Sequence, residues 1–188
     1  VRVKTTSTAE NWIVGHKSLG FTNFLSLDVT NAAQATSNRF NDTDPTSSVF
    51  SVGSADGTNK SGDTIIAYCF AEKKGFSKFG SYTGNASAGG DGPFVYTGFK
   101  PAFVMFKRTD STSSWTIVDT KRDTYNPTNK RLFPNLSNAD NTSLDPFADL
   151  VSNGFKLKTS SGAFNASSGS YIYMAFAESP IVASNNIP

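Results

Sequence analysis

The chain has 188 residues, enough for one large β domain or two small ones. Its 16 Phe, 6 Tyr and 2 Trp, with 45 Ser and Thr together, favour strands, and no long segment carries a helical period. A net charge of +2, scattered along the chain, argues against a nucleic-acid partner, and no apolar run approaches the roughly 18 residues of a membrane-spanning helix.

Strand candidates recur between clusters of Gly, Asn, Asp, Ser and Pro. In chain order they are Val1–Thr6, Trp12–Lys17, Phe24–Val29, Val49–Gly53 and Thr64–Glu72, then Lys78–Thr83, Gly92–Gly98, Ala102–Thr109, Trp115–Thr120, Arg131–Pro134, Phe155–Thr159 and Tyr171–Glu178. Phe103-Val-Met-Phe-Lys alternates with period two, as a strand with a buried face does. Ile65–Ala71 and Tyr171–Ala177 are apolar throughout, which suits central strands covered on both faces. The expected core is Phe103 or its neighbours Val104 and Phe106, with Ile65, Tyr68, Phe70, Ile172, Met174 and Phe176. Cys69 lies inside the first apolar run and is expected to be buried and inert. The long polar connections, 31–48 and 123–153, have room for a helical turn, with the pattern for one at Ser143–Val151.

Two parts of the chain correspond. Val1–Trp12 lies over Val104–Trp115 without a gap, Trp12–Lys17 over Trp115–Lys121 with one insertion, and Ile65–Glu72 over Tyr171–Glu178. The chain therefore reads as a tandem repeat of about a hundred residues. The first copy is 1–75, the second 76–180, and 181–188 is a tail or linker. Val1 enters mid-strand without an initiator Met, which suggests a piece of a longer protein. The first copy has no counterpart of the strands at 78–99. They are expected from another part of the same polypeptide, from another subunit added at otherwise unpaired backbone near Val1–Thr6, or are replaced by cover from the second copy's sheet. The expected fold is all-β: an antiparallel sandwich built from the repeat.

The second copy has a distinctive order: Gly80-Ser-Tyr-Thr-Gly-Asn85, Gly98-Phe-Lys-Pro101, Val104–Thr109, Trp115-Thr-Ile-Val-Asp119, Arg122, Asn153-Gly-Phe155, Asn165-Ala-Ser167 and Tyr171–Ala175. This string resembles a domain of unknown function that recurs in virion structural proteins of tailed marine phages and cyanophages. There it stands beside concanavalin-like domains in tail-fibre-like proteins. The resemblance implies a concanavalin-like or jelly-roll sandwich and a non-enzymatic part in a fibre, tail or capsid decoration. It implies other virion subunits as partners, in a homo-oligomer or larger assembly, and a place on the virion surface after folding in the host cytoplasm.

Catalytic chemistry finds little material. His16 is the sole histidine, so a Ser–His–acid triad would need it, yet the second copy lacks an equivalent. One His and one Cys do not make a zinc centre, and no phosphate loop or other cofactor motif is present. Asp42-Thr-Asp44 offers oxygen ligands to calcium, but such loops are common. The sequons at Asn41, Asn59, Asn85, Asn135, Asn141 and Asn165 match what this composition produces by chance. The alternative function is carbohydrate recognition on a host surface, with Trp115, Asp119, Arg122 and Tyr125 as the candidate sugar-binding residues. Against it stands a structural reading: Trp115 fills the core, and Asp119 and Arg122 pair to pin the strand end.

Overall fold

The computed structural model describes residues 1–89, 91–140 and 146–180. The protein is built mostly from strands in antiparallel sheets, with only short helical turns. It divides into two compact units, Val1–Phe70 and the chain from Ala71 onward. The tail at 181–188, Asn141 and the start of the expected turn at Ser143–Val151 lie outside the described residues.

The first unit is one five-stranded sheet. Its strands are β1 (Arg2–Thr5), β2 (Ile13–Val14), β3 (Asn23–Ser26), β4 (Gln34–Ala35) and β5 (Ile65–Tyr68), in the order β4-β3-β2-β1-β5. Alternation along β1 buries Val3 and Thr5 completely and leaves Arg2 and Lys4 half-exposed. Val3 and Ile13 pack with Phe21, Phe24 and Phe40 in the core. Phe40 ends the short helix α1 (Ser37–Phe40), whose first turn is capped by the Thr36 hydroxyl accepting from the Asn38 N–H. A second turn, α2 (Asp56–Asn59), packs on β1. Helical turns thus cover the sheet face here.

The second unit has two sheets. One contains β6 (Ser77–Thr83), β8 (Phe103–Arg108), β9 (Thr116–Asp119) and β12 (Ser170–Phe176), in the order β6-β12-β8-β9. The other contains β7 (Phe94–Tyr96), β10 (Ala148–Val151) and β11 (Gly154–Leu157), in the order β10-β11-β7. Both contribute to one core: Val95, Leu150, Phe155 and Leu157 from the smaller, Val104, Phe106, Val118 and Tyr173 from the larger. Phe155 sits edge-on to Phe106 at 5.2 Å, Tyr173 at 5.2 Å and Tyr82 at 6.1 Å. Each buried Phe stabilises by about 1.5–3 kcal/mol. A single helical turn, α3 (Gly162–Asn165), precedes β12.

Several expectations need correction. Ile65–Ala71 is not a central strand: β5 is the outermost strand of its sheet among the described residues. Ile66, Tyr68 and Phe70 are 36, 46 and 44% exposed, and Cys69 is exposed rather than buried. Tyr171–Ala177 is central, because β12 pairs with β6 on one side and β8 on the other. Val1–Thr6 is not unpaired either, since β1 bonds β2 on one side and β5 on the other. Val49–Gly53 forms no strand, and at Arg131–Pro134 only a bridge between Leu132 and Ile117 remains. Ala148–Val151 is strand, not helix, because Ala148 and Leu150 alternate into the core. Phe103, Met174 and Phe176 are only half-buried.

Candidate functional site

The four candidate sugar-binding residues do not converge on a groove. Trp115 is 4% exposed, so its ring offers no open face for stacking, and its backbone N–H donates to Asn135 Oδ1 at 2.9 Å. Asp119, at the end of β9, accepts the backbone N–H groups of Lys121 at 3.0 Å and Arg122 at 2.9 Å. The Arg122 guanidinium closes on the same carboxylate at 2.7 Å and reaches Asp140 at 3.5 Å. Burial alone would raise the Asp119 pKa, but the Arg122 N–H, the guanidinium and the Lys121 N–H together hold it below its ordinary value. Tyr125 is 85% exposed. Asp119 and Arg122 therefore come together as a clamp on the strand end, with Trp115 inside and Tyr125 in solvent. His16 also acts locally, since its Nδ1 accepts the Ser18 N–H at 3.2 Å and caps a 3-10 turn at Lys17–Leu19. Among the described residues no three His, Cys, Asp or Glu gather at metal-binding distance, Asp42 and Asp44 included.

Another surface carries more of what a sugar needs. Phe94 and Tyr96 point outward from β7, 48 and 65% exposed, two residues apart on one face. Beside Tyr96 lies a cleft of about 330 Å³ lined by Lys73, Lys74, Lys78, Glu72 and Ser77. Lys78 pairs with Glu72 at 3.2 Å. The sequence signal was Gly92-Pro-Phe-Val-Tyr-Thr-Gly98, in which alternation puts both aromatics on the face opposite Val95.

The open side of β5 is the third feature. The N–H of Thr6 donates to the Thr64 carbonyl at 2.8 Å. Antiparallel alternation then sends the main-chain groups of Ile65, Ala67 and Cys69 outward. Along β12 the corresponding outward groups, at Tyr171, Tyr173 and Ala175, meet Tyr82, Gly80 and Lys78 of β6. The pairings with the inner neighbour match residue for residue. Arg2, Val3, Lys4 and Thr5 face Tyr68, Ala67, Ile66 and Ile65, while Met105, Phe106, Lys107 and Arg108 face Met174, Tyr173, Ile172 and Tyr171.

The surrounding contacts match as well. Lys4 Nζ donates to the Glu10 carbonyl, and Lys107 Nζ to the Ser113 carbonyl at 2.9 Å. The Trp12 N–H donates to the Asp28 carboxylate, as the Trp115 N–H does to the Asn135 amide. Val14 faces Arg2 and Leu25, and Ile117 faces Met105 and Leu132. That pairing equates Val14 with Ile117 and His16 with Asp119, so the insertion falls after the strand rather than within it.

Asn59 and Asn165 stand six positions before Ile65 and Tyr171 and end α2 and α3. Asn59 Nδ2 donates to the Gly53 carbonyl and Asn165 Nδ2 to the Thr159 carbonyl, both at 2.9 Å and both six residues back. Asn165 is fully buried and also bonds Asn85 and Ser87, whereas Asn59 is exposed. As sequons, both asparagines are indistinguishable from chance. The signal that marks them is one residue at one spacing before β5 and before β12.

No curated protein and no solved structure matches the chain. A family model covers residues 1–180, and the chain belongs to that family, DUF7483, a domain of unknown function.

Proposed function

We propose that the protein is a non-enzymatic structural module of a tailed-phage virion, a duplicated β-sandwich unit that joins other polypeptides through the open side of β5. The observation that carries the reading is that edge. Its backbone groups at Ile65, Ala67 and Cys69 have no partner strand among the described residues, and Ile66, Tyr68 and Phe70 stand exposed along it. An uncharged, unprotected apolar edge is a template for strand addition. Duplication is supported by the shared pairing register and by the paired bonds at Lys4 and Lys107, Trp12 and Trp115, and Asn59 and Asn165. A sandwich is supported in the second unit by the core that its two sheets share. The virion assignment rests on the ordered string of the second copy.

Sedimentation velocity tests the assembly reading. The wild type associates as its concentration rises through tens of micromolar, and Ile66→Lys with Tyr68→Lys abolishes the association. A wild type that stays monomeric throughout sinks homotypic assembly. The second reading, glycan binding, is favoured by Phe94, Tyr96 and the lysines beside them. Lys73 and Lys74, beside the Lys78–Glu72 pair, favour acidic sugars, and Tyr96→Ala then removes retention on an acidic polysaccharide column while neutral columns retain neither protein.

A further inference from the structure

We infer that the first unit is an acceptor for one particular kind of segment: an extended strand ending in Gly-Asn-x-Ser, the pattern of residues 84–87. The inference rests on the assembly reading of the β5 edge and names what that edge accepts.

The second unit holds such a segment, and its main-chain and asparagine contacts have vacant counterparts in the first. Beyond β6 the Gly84 N–H donates to the Gly169 carbonyl at 2.9 Å, and the Gly84 carbonyl accepts from the Ser168 N–H at 3.0 Å. The Asn85 N–H donates to Asn165 Oδ1 at 2.7 Å, and Asn165 Nδ2 returns a bond to the Ser87 carbonyl at 2.7 Å. The Ala86 N–H donates to the Asn165 carbonyl at 2.9 Å. Before them, Tyr82 donates its hydroxyl to the Phe164 carbonyl at 2.9 Å and stacks on Tyr171 at 4.8 Å.

In the first unit the same groups are built in the same conformation. The Asp63 N–H closes onto the Lys60 carbonyl as the Gly169 N–H does onto Ala166. Gly62 and Ser168, the matching positions, share a left-handed φ of 82° and 58°. That conformation is uncommon for serine, so the turn is set by the surroundings rather than by glycine alone. Asn59 is anchored by its bond to Gly53. Yet among the described residues nothing meets the Asp63 or Asn59 carbonyl, the Gly62 N–H, Asn59 Oδ1 or the outer edge of β5. A preset turn with an anchored amide and an open strand edge, all in register, is a template waiting for its segment.

The segment's chemistry follows from the template. A Cβ at Gly84 would lie 2.2 Å from the Ala166 carbonyl, so the residue crossing the Lys60 carbonyl must be glycine. Asparagine follows because its backbone meets Asn59 while its side chain holds the next turn, as Asn85 Oδ1 holds the Ser87 N–H at 3.0 Å. No tyrosine is required two positions before the glycine, because Thr58, which stands where Phe164 does, is already fully buried in the first unit. Gly80, by contrast, is dictated by Tyr173, since a Cβ there would lie 2.7 Å from its hydroxyl and 2.8 Å from its ring. Ala67 stands in that ring's place, so the donor is free of that constraint.

The probe is a synthetic peptide with the sequence of residues 76–89, titrated against the intact chain by fluorescence anisotropy. Amide hydrogen exchange is read at Ile65, Ala67 and Cys69. Saturable binding is expected, with the three amides protected on saturation. Affinity should fall about tenfold or more for Asn59→Ala protein or for peptide with Gly84→Val. Asn59 is exposed, so its substitution leaves the fold intact. Ala67→Pro supplies a second block, because it removes only an outward N–H. Absence of binding, or binding indifferent to all three changes, overturns the inference. If the chain still self-associates in that case, the edge is an assembly surface with a different partner. If the peptide binds to a chain that never self-associates, the acceptor stands and homotypic assembly falls.

Discussion

β5 and β12 face their inner neighbours in the same register, yet one is an edge and the other a centre. The apolar character of a strand therefore reports the place it is built to occupy, not whether that place is filled. Tyr171, Ile172 and Tyr173 are 1–3% exposed between β6 and β8, while Ile66 and Tyr68 are 36 and 46% exposed with β1 alone beside them. Cys69 follows the same logic: its counterpart Ala175 is fully buried.

The largest expected effect lies in the second unit's core, to which two sheets contribute. Phe155 touches rings from both sheets, so Phe155→Ala should cost about 3–5 kcal/mol in a denaturant titration. A loss under 1 kcal/mol would mean that the two sheets do not depend on each other and that this unit is held as the first is, by one sheet and its helical turns.

The asparagines give a sharper contrast. Asn165→Ala strands the Asn85 N–H and the Ser87 and Thr159 carbonyls, and should cost about 2–3 kcal/mol. Asn59→Ala removes a single bond at an exposed site and should cost about 0.5–1 kcal/mol. Equal losses would show that Asn59 is already fully engaged in the free chain, against the acceptor.

Much of this contrast was legible in the sequence, for identifiable reasons. Strands carrying strict alternation, Phe103–Arg108 above all, show their period because one face is buried whatever lies beyond the sheet. The sequence correspondence between 1–72 and 104–178 matched β1 to β8 and β5 to β12, whose pairing registers agree. Edge position was illegible, since it depends on a neighbouring strand that β5's own residues do not encode. Strand β10 was hidden for a related reason: Ala148–Val151 is short, and only its pairing with β11 makes it a strand. Trp, Asp and Arg close in sequence suit a clamp as well as a groove, so the sequence alone does not choose between them.

Lys107 gives a smaller effect with a definite sign. Burial lowers its pKa to about 8, with the charge of Arg108 adding to the shift. Between pH 8 and 10 the unfolded chain therefore binds more protons at this residue than the folded one. Stability should rise with pH across that window, by at most about 1.4 kcal/mol per unit. Tyr173, held up at about 12 by burial, reverses the trend only above pH 10. Lys107→Met should flatten the rise between pH 8 and 10. A rise that persists in the variant assigns the titration elsewhere.

The smallest effect separates the two strand ends. His16 lies just past β2 and Asp119 ends β9, and each caps the N–H two residues on, one with a ring nitrogen and one with a carboxylate. Asp119 also takes the Arg122 N–H and its guanidinium. Loss of a capping acceptor costs about 0.5–2 kcal/mol. Asp119→Ala should fall in the upper half of that range and His16→Ala at its lower end, because one side chain holds three donors and the other one N–H in this turn. A double-mutant cycle on Asp119 and Arg122 should return a coupling of about 0.5–1 kcal/mol that shrinks with salt, as a partly exposed pair does. No coupling at low salt would free Asp119 and Arg122 from the clamp and return them to the carbohydrate reading.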